Sequence, residues 1–218
     1  MNSQIIKDIA IYGAGGFGRE IACLINLINK EKHQWNLIGF FDDYWKIGHK
    51  NEYGEVIGGI DKLNSYPSDI AIAIAFGNPK RIAETVEKIT NHKVYFPNII
   101  APDTIFLDKS NFSIGNGNII TSGCWISCNV DIGNFNVFNC FITIGHDAQI
   151  GNFNSVMPAV KISGNVSIGN HNLLGVSSVI LQQIKIGDNT IIGAGSVILR
   201  KTKDGNTYIG NPAKIVNY

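Results

Sequence analysis

Charge is scarce in this chain. Asp, Glu, Lys and Arg make up 16% of its 218 residues and leave a formal net charge of +1, so no strongly basic face invites nucleic acid or an acidic membrane surface. No apolar run approaches the ~18 residues of a membrane span, and residues 1–6 lack the apolar core of a secretory signal. A cytoplasmic protein that handles polar small molecules is the expectation. The cysteines number four. Cys124 and Cys128 stand close together, Cys140 lies further on and Cys23 falls in a predicted helix, which is no metal-ligand or redox spacing. Reduced structural thiols are expected, and only Cys140 has a His, His146, close by in sequence. Just two histidines, His146 and His171, lie in the second half of the chain, too few for a three-His metal site, so no metal is expected.

What the chain has in abundance is a period of six. From Ile114 to Ile198 every sixth residue is apolar without an insertion, and five Ile-Gly pairs (Ile114-Gly115, Ile132-Gly133, Ile150-Gly151, Ile168-Gly169, Ile186-Gly187) repeat every 18 residues. An α-helix would smear this period around its surface, and an alternating strand has no use for it. Three short strands and three corners per 18 residues make one coil, with equivalent residues stacked ~4.8 Å apart. The reading is a parallel β-helix with an interior apolar ladder. Its glycines are expected at corners whose backbone conformation a Cβ would penalise. With no insertions in the repeat, no long loop within it covers its surface.

The length leaves room for a companion domain. Residues 1–98 read as a small Rossmann-like β-α-β unit and residues 99–218 as the β-helix with its tail. Strands are predicted over 8–12, 36–41, 69–75 and 94–96, with helices over 19–29 and 79–89, an alternation of strand and helix that favours a small parallel sheet with ligands at the carboxyl ends of its strands. Gly13-Ala14-Gly15-Gly16-Phe17-Gly18 falls between the first strand and helix, where glycines let phosphate approach backbone N–H groups at a helix N-terminus. Asp42 and Asp43 end the second strand, later than a redox dinucleotide fingerprint places its acid. A nucleotide-sugar pocket is favoured over a nicotinamide cofactor or a purely structural turn.

Within the repeat, Ile144-Gly145-His146-Asp147 sets a carboxylate beside a histidine, the minimal general-base pair, provided a corner or a neighbouring coil brings the two side chains together. A solvated polar corner is the alternative at that point. The period places Gly164 one coil above His146.

The run from Phe138 to Asp147, Gly193-Ala194-Gly195-Ser196-Val197 and Gly210-Asn211-Pro212-Ala213-Lys214 together resemble the left-handed β-helix acyltransferases. Gly13 to Gly16, Phe41-Asp42-Asp43 and Gly77-Asn78-Pro79 narrow the likeness to the NeuD and PglD branch, which includes acetyl-CoA-dependent N-acetyltransferases acting on nucleotide-linked 4-amino-dideoxy sugars. The resemblance implies His146 as general base, Asp147 as its orienting acid, Asn139 near the reacting groups and the Gly164 backbone N–H at the thioester carbonyl. It implies coenzyme A along Gly164, Gly193, Ala194, Gly195 and Ser196, with Arg200, Lys201 and Lys214 at its phosphates. The nucleotide sugar is placed at Gly13, Ala14, Gly15, Gly16, Asp42, Asp43, Gly77 and Asn78. It also implies a homotrimer with sites between subunits. Many relatives carry His where this chain has Ala101 and some where it has Ser155. A sugar O-acetyltransferase and a non-catalytic nucleotide-sugar-binding or assembly protein are the rival readings.

Overall fold

The computed structural model describes residues 6–216; residues 1–5, where most of the segment read for a leader lies, and the last two residues of the tail fall outside it. Strands β1 (Lys7–Tyr12), β2 (Trp35–Phe41), β3 (Lys50–Asn51), β4 (Gly54–Gly58), β5 (Ile70–Ile74) and β6 (Val94–Tyr95) form one sheet in the order β3-β4-β2-β1-β5-β6. All pairings are parallel except β3 with β4. Helix α1 (Gly16–Glu31) buries Ile21, Ala22, Leu24, Ile25 and Ile28, the stripe its sequence spacing called for. Helices α2 (Ile60–Asn64) and α3 (Pro79–Lys88) complete the unit. The predicted alternation of strand and helix lacks β3, β4 and α2. They are short, and β4 is interrupted by glycine at both ends, so neither period had length to show.

The β-helix starts earlier than the unbroken run, at Ile99–Ile100, and continues through Ile105–Phe106 and Phe112–Ile114 with irregular spacing. Its strands stack into parallel sheets of six and five and, with the closing antiparallel strand Ala213–Val216, a third of eight. Equivalent residues pair 18 apart, as in Thr143 with Lys161 and Ile144 with Ile162. Every apolar position of the run from Ile120 to Ile198 joins one buried cluster, and Ile114 packs against it. Burial of such a ladder is the main source of stability in a stack whose coils touch only their neighbours.

The glycines of the Ile-Gly pairs have another cause than the one expected. Their φ is ordinary. The left-handed corners fall two residues later and carry Phe135, Phe153, His171 and Asn189, among others, at φ between 52° and 57°. Glycine is required because the coils touch there: a Cβ on Gly133 would stand 2.6 Å from both Asn152 Oδ1 and the Gly151 carbonyl oxygen. A buried ladder of Asn118, Asn136, Asn154 and Asn172 runs beside it. Asn136 illustrates its bonding: Nδ2 donates to Asn118 Oδ1 and the Gly151 carbonyl, and Oδ1 accepts from Asn154 N–H and Nδ2.

The two parts share their cores. Ile99, Ala101 and Ile119 pack with α1 and β1, and Val137 packs with Tyr12, Phe41 and Phe76 on the other side of the sheet. No described helix is long and apolar enough to cross a membrane.

Candidate active site

At the corner after Ile144 the chain turns through Asp147, whose φ is 57°. That left-handed step folds two adjacent side chains onto each other, and His146 Nδ1 lies 2.7 Å from Asp147 Oδ2. The second oxygen, Oδ1, accepts from Asn129 Nδ2 at 2.6 Å, one coil below. Asn129 first, and then His146, hold the Asp147 carboxyl below the usual range. With Nδ1–H donated to the carboxylate, the neutral imidazole keeps Nε2 as a proton acceptor. Nε2 faces Gly164. A Cβ on Gly164 would collide with it and stand 2.7 Å from Cε1 and 2.9 Å from Cδ2, so the ring needs the missing side chain. The Gly164 N–H donates to no acceptor among the described residues. The His146 side chain is 62% exposed, so a ligand or a further surface has to exclude water around it.

Asn139 belongs to the preceding corner, and no hydrogen bond joins it to His146 or Asp147. Its Nδ2 lies 3.8 Å from Met157 Sδ, and its carbonyl accepts the Cys124 thiol. All four cysteines are free, and burial pushes the Cys124 thiol up to about 11. Ala101 and Ser155 are both buried, Ser155 with its Oγ unpartnered. Neither offers a surface to a ligand within one chain. Among the described residues no three His, Cys, Asp or Glu side chains gather as metal ligands.

The glycine loop lies at the carboxyl ends of β1 and β5, lining a cleft of about 280 Å³ with Asp42, Tyr44, Trp45, Phe76, Gly77 and Arg81. Gly13 is at φ 114° and a Cβ there would stand 3.0 Å from the Ala75 carbonyl, whereas Gly15 and Gly16 face open space. Ala14 is buried, and its N–H donates to Asp42 Oδ2 at 2.8 Å. Asp42 Oδ1 accepts from the N–H groups of Tyr44 and Trp45. Asp43 is similarly engaged, by the Tyr12 hydroxyl and the Ile60 N–H. Both acids therefore shape the loops around the cleft. Asn78 caps α3 through the Arg81 N–H at 3.1 Å, and Gly77 comes within 3.7 Å of Met157 Cε, measured from its would-be Cβ.

At the far end of the β-helix Arg200, Lys201, Lys203 and Lys214 line a cleft of about 640 Å³ floored by Ile198, Leu199 and Tyr208. Ser196 is buried there and its Oγ accepts the Gly210 N–H, so it fastens the closing hairpin and presents no hydroxyl outward. Gly193 lies against Ile209, and Ala194 and Gly195 are exposed.

Asn129, Arg81, Phe76 and Met157 were not read from the sequence. The period held the signal for Asn129, which precedes Asp147 by 18 residues.

Residues 8–89 match the family model of the PglD N-terminal domain, and residues 165–200 that of the bacterial transferase hexapeptide repeats. The acetyltransferase domain of PglB from Neisseria gonorrhoeae FA1090 superposes with a TM-score of 0.87 at 27% identity, over 96% of this chain and 100% of that one. WeeI from Acinetobacter baumannii AYE gives 0.83 at 28%, over 98% and 100%. PerB from Caulobacter crescentus, solved with CoA and GDP-perosamine, shares the fold at 0.86 and 24%, over 99% and 100%. No curated protein sequence matches the chain. The chain thus matches the PglD N-terminal domain and the bacterial transferase hexapeptide repeats in turn, and it is similar to PglD-type sugar acetyltransferases from end to end.

Proposed function

We propose that the protein transfers an acetyl group from acetyl-CoA to the amino group of a nucleotide-linked amino sugar. The observation that carries this reading is the His146 imidazole, oriented by Asp147 and laid with Nε2 against Gly164. The PglB domain has been solved in complex with acetyl coenzyme A, and PerB with CoA and GDP-perosamine, which supports both ligands.

The amine attacks the thioester carbonyl, forming the C–N bond, and His146 Nε2 takes the proton the nitrogen loses. The Gly164 N–H supports the oxyanion, a contribution typically worth ~3 kcal/mol. Collapse breaks the C–S bond, and coenzyme A leaves as the thiol with that proton. Asp147 holds the imidazole tautomer. Arg200, Lys201 and Lys214 take the phosphates of coenzyme A, with Ala194 and Gly195 along the pantetheine arm, and the glycine loop takes the nucleotide sugar.

Asn139 acts on the reacting groups of a neighbouring copy in a homotrimer. One side of the β-helix points Ser113, Asp131, Gln149, Ser167 and Lys185 outward, whereas another presents Ile105, Trp125, Val179 and Val197 on either side of Thr143 and Lys161, a more apolar row that suits self-association.

Thiol release from acetyl-CoA, followed with UDP-, dTDP- and GDP-linked amino sugars and with free sialic acids, tests the reading. Turnover with an amino sugar, lost in His146→Ala, is expected. A response to sialic acids alone assigns an oxygen acceptor instead, and turnover of none leaves a binding or assembly protein.

A further inference from the structure

Arg81 is an exposed cation with no carboxylate partner among the described residues. Its guanidinium carbon lies 3.8 Å from the centroid of the Phe76 ring, and this stacking restricts a side chain that otherwise has many rotamers. The backbone beneath it is fixed too, since Arg81 N–H donates to the capping Asn78 and Pro79 opens the helix. The side chain borders two clefts at once, the 280 Å³ glycine cleft and one of about 610 Å³ that holds Tyr12, Asp43, Lys80 and Lys88. In the glycine cleft it is joined by Gly15 and Gly16, where open space reaches the backbone and helix α1 begins without a side-chain cap. A planar fork, unpaired in charge and held over a ring at the edge of an open glycine loop, is arranged for oxygens of an anion.

We infer that Arg81 grips the diphosphate of the nucleotide sugar and thereby fixes the direction in which the substrate lies; this rests on the nucleotide-sugar reading above. The glycine cleft has two unlike ends. One is aromatic, with Trp45 and an 82%-exposed Tyr44. The other is at Gly77, which abuts Met157 and through it Asn139 on the β-helix. With the diphosphate held between Arg81 and the glycine loop, the base lies toward Tyr44 and Trp45, and the sugar crosses Gly77 toward the β-helix.

The test is a calorimetric titration of the wild-type protein and of Arg81→Met with UDP, dTDP and GDP, and with uridine, thymidine and guanosine. The expected result is a loss of about tenfold or more in affinity for the preferred diphosphate, with its nucleoside bound as before and the Tm unchanged. Arg81→Lys recovers part of the loss, since it restores the charge without the fork. An unchanged diphosphate affinity in Arg81→Met overturns the inference, as does an equal loss for nucleoside and diphosphate. If the wild-type protein binds none of the diphosphates, this inference and the nucleotide-sugar reading fall together.

Discussion

Asn129 reaches up one coil to donate to Asp147 over 2.6 Å, and by filling that oxygen it turns the other toward His146. Asn129→Ala removes the largest influence holding the Asp147 carboxyl low. The carboxyl should rise toward the ordinary aspartate range in a carbon-13 NMR titration. The kcat should fall by about tenfold while the KM for acetyl-CoA holds, because the imidazole loses its fixed orientation.

His146→Ala should lower kcat by ~10² to 10⁴, the usual span for a lost general base, and leave the circular dichroism spectrum unchanged. His146→Gln, which keeps bulk without a basic nitrogen, should be as poor.

Gly164→Ala and Gly133→Ala make a contrasting pair. A methyl on Gly164 drives into the His146 ring, which is exposed and able to swing aside, so activity should drop at least about tenfold with little change in Tm. A methyl on Gly133 meets the Asn152 side chain and the Gly151 carbonyl in the stack. There the coils themselves must separate, and Tm should fall by several degrees at roughly 1–3 kcal/mol. Equal effects at the two positions would contradict the distinction between a catalytic and a structural close approach.

Asn136→Ala should destabilise the protein by about 2 kcal/mol or more in thermal or urea unfolding, since it orphans an Asn154 N–H and a Gly151 carbonyl inside the stack, while Asn118 Oδ1 keeps the residue 136 N–H. Gln149→Ala, on an exposed face, should change stability by less than about 0.5 kcal/mol.

Asp147 also predicts a pH effect with a definite sign. Its folded-state carboxyl titrates below the unfolded one, so whatever stability its bonds contribute is present above the ordinary aspartate range and is lost as pH falls through the lowered value. The acid limb of the unfolding profile should shift in Asp147→Asn, and the profile above neutrality should be unaffected.

The β-helix was legible because its period is enforced by stacking: each inward apolar residue from Ile120 to Ile198 has to sit against another in the next coil. His146, Asp147 and Gly164 came with it, two by adjacency and one by the 18-residue spacing. The N-terminal sheet was legible only where strands were long and apolar. Asp42 and Asn78 look like ligand contacts in one dimension, yet their oxygens go to the Ala14 and Arg81 backbones. Nothing local in the sequence says which N–H a carboxylate or amide will meet across a loop. Arg81 was hidden for a related reason, since its role depends on Phe76 beneath it and on a glycine loop far away in sequence.

Every sixth residue from Asn129 to Asn189 occupies the left-handed region without being glycine. Each such residue costs roughly 1–2 kcal/mol in isolation, a penalty that a lone coil has no means to offset. Order must therefore arrive as a front, each coil accepting its unfavourable turns only against a neighbour already wound. The stack should melt from its ends inward like a zip and form by growing outward to them, and the hairpin of Thr207–Gly210 and Ala213–Val216 is the catch at one end.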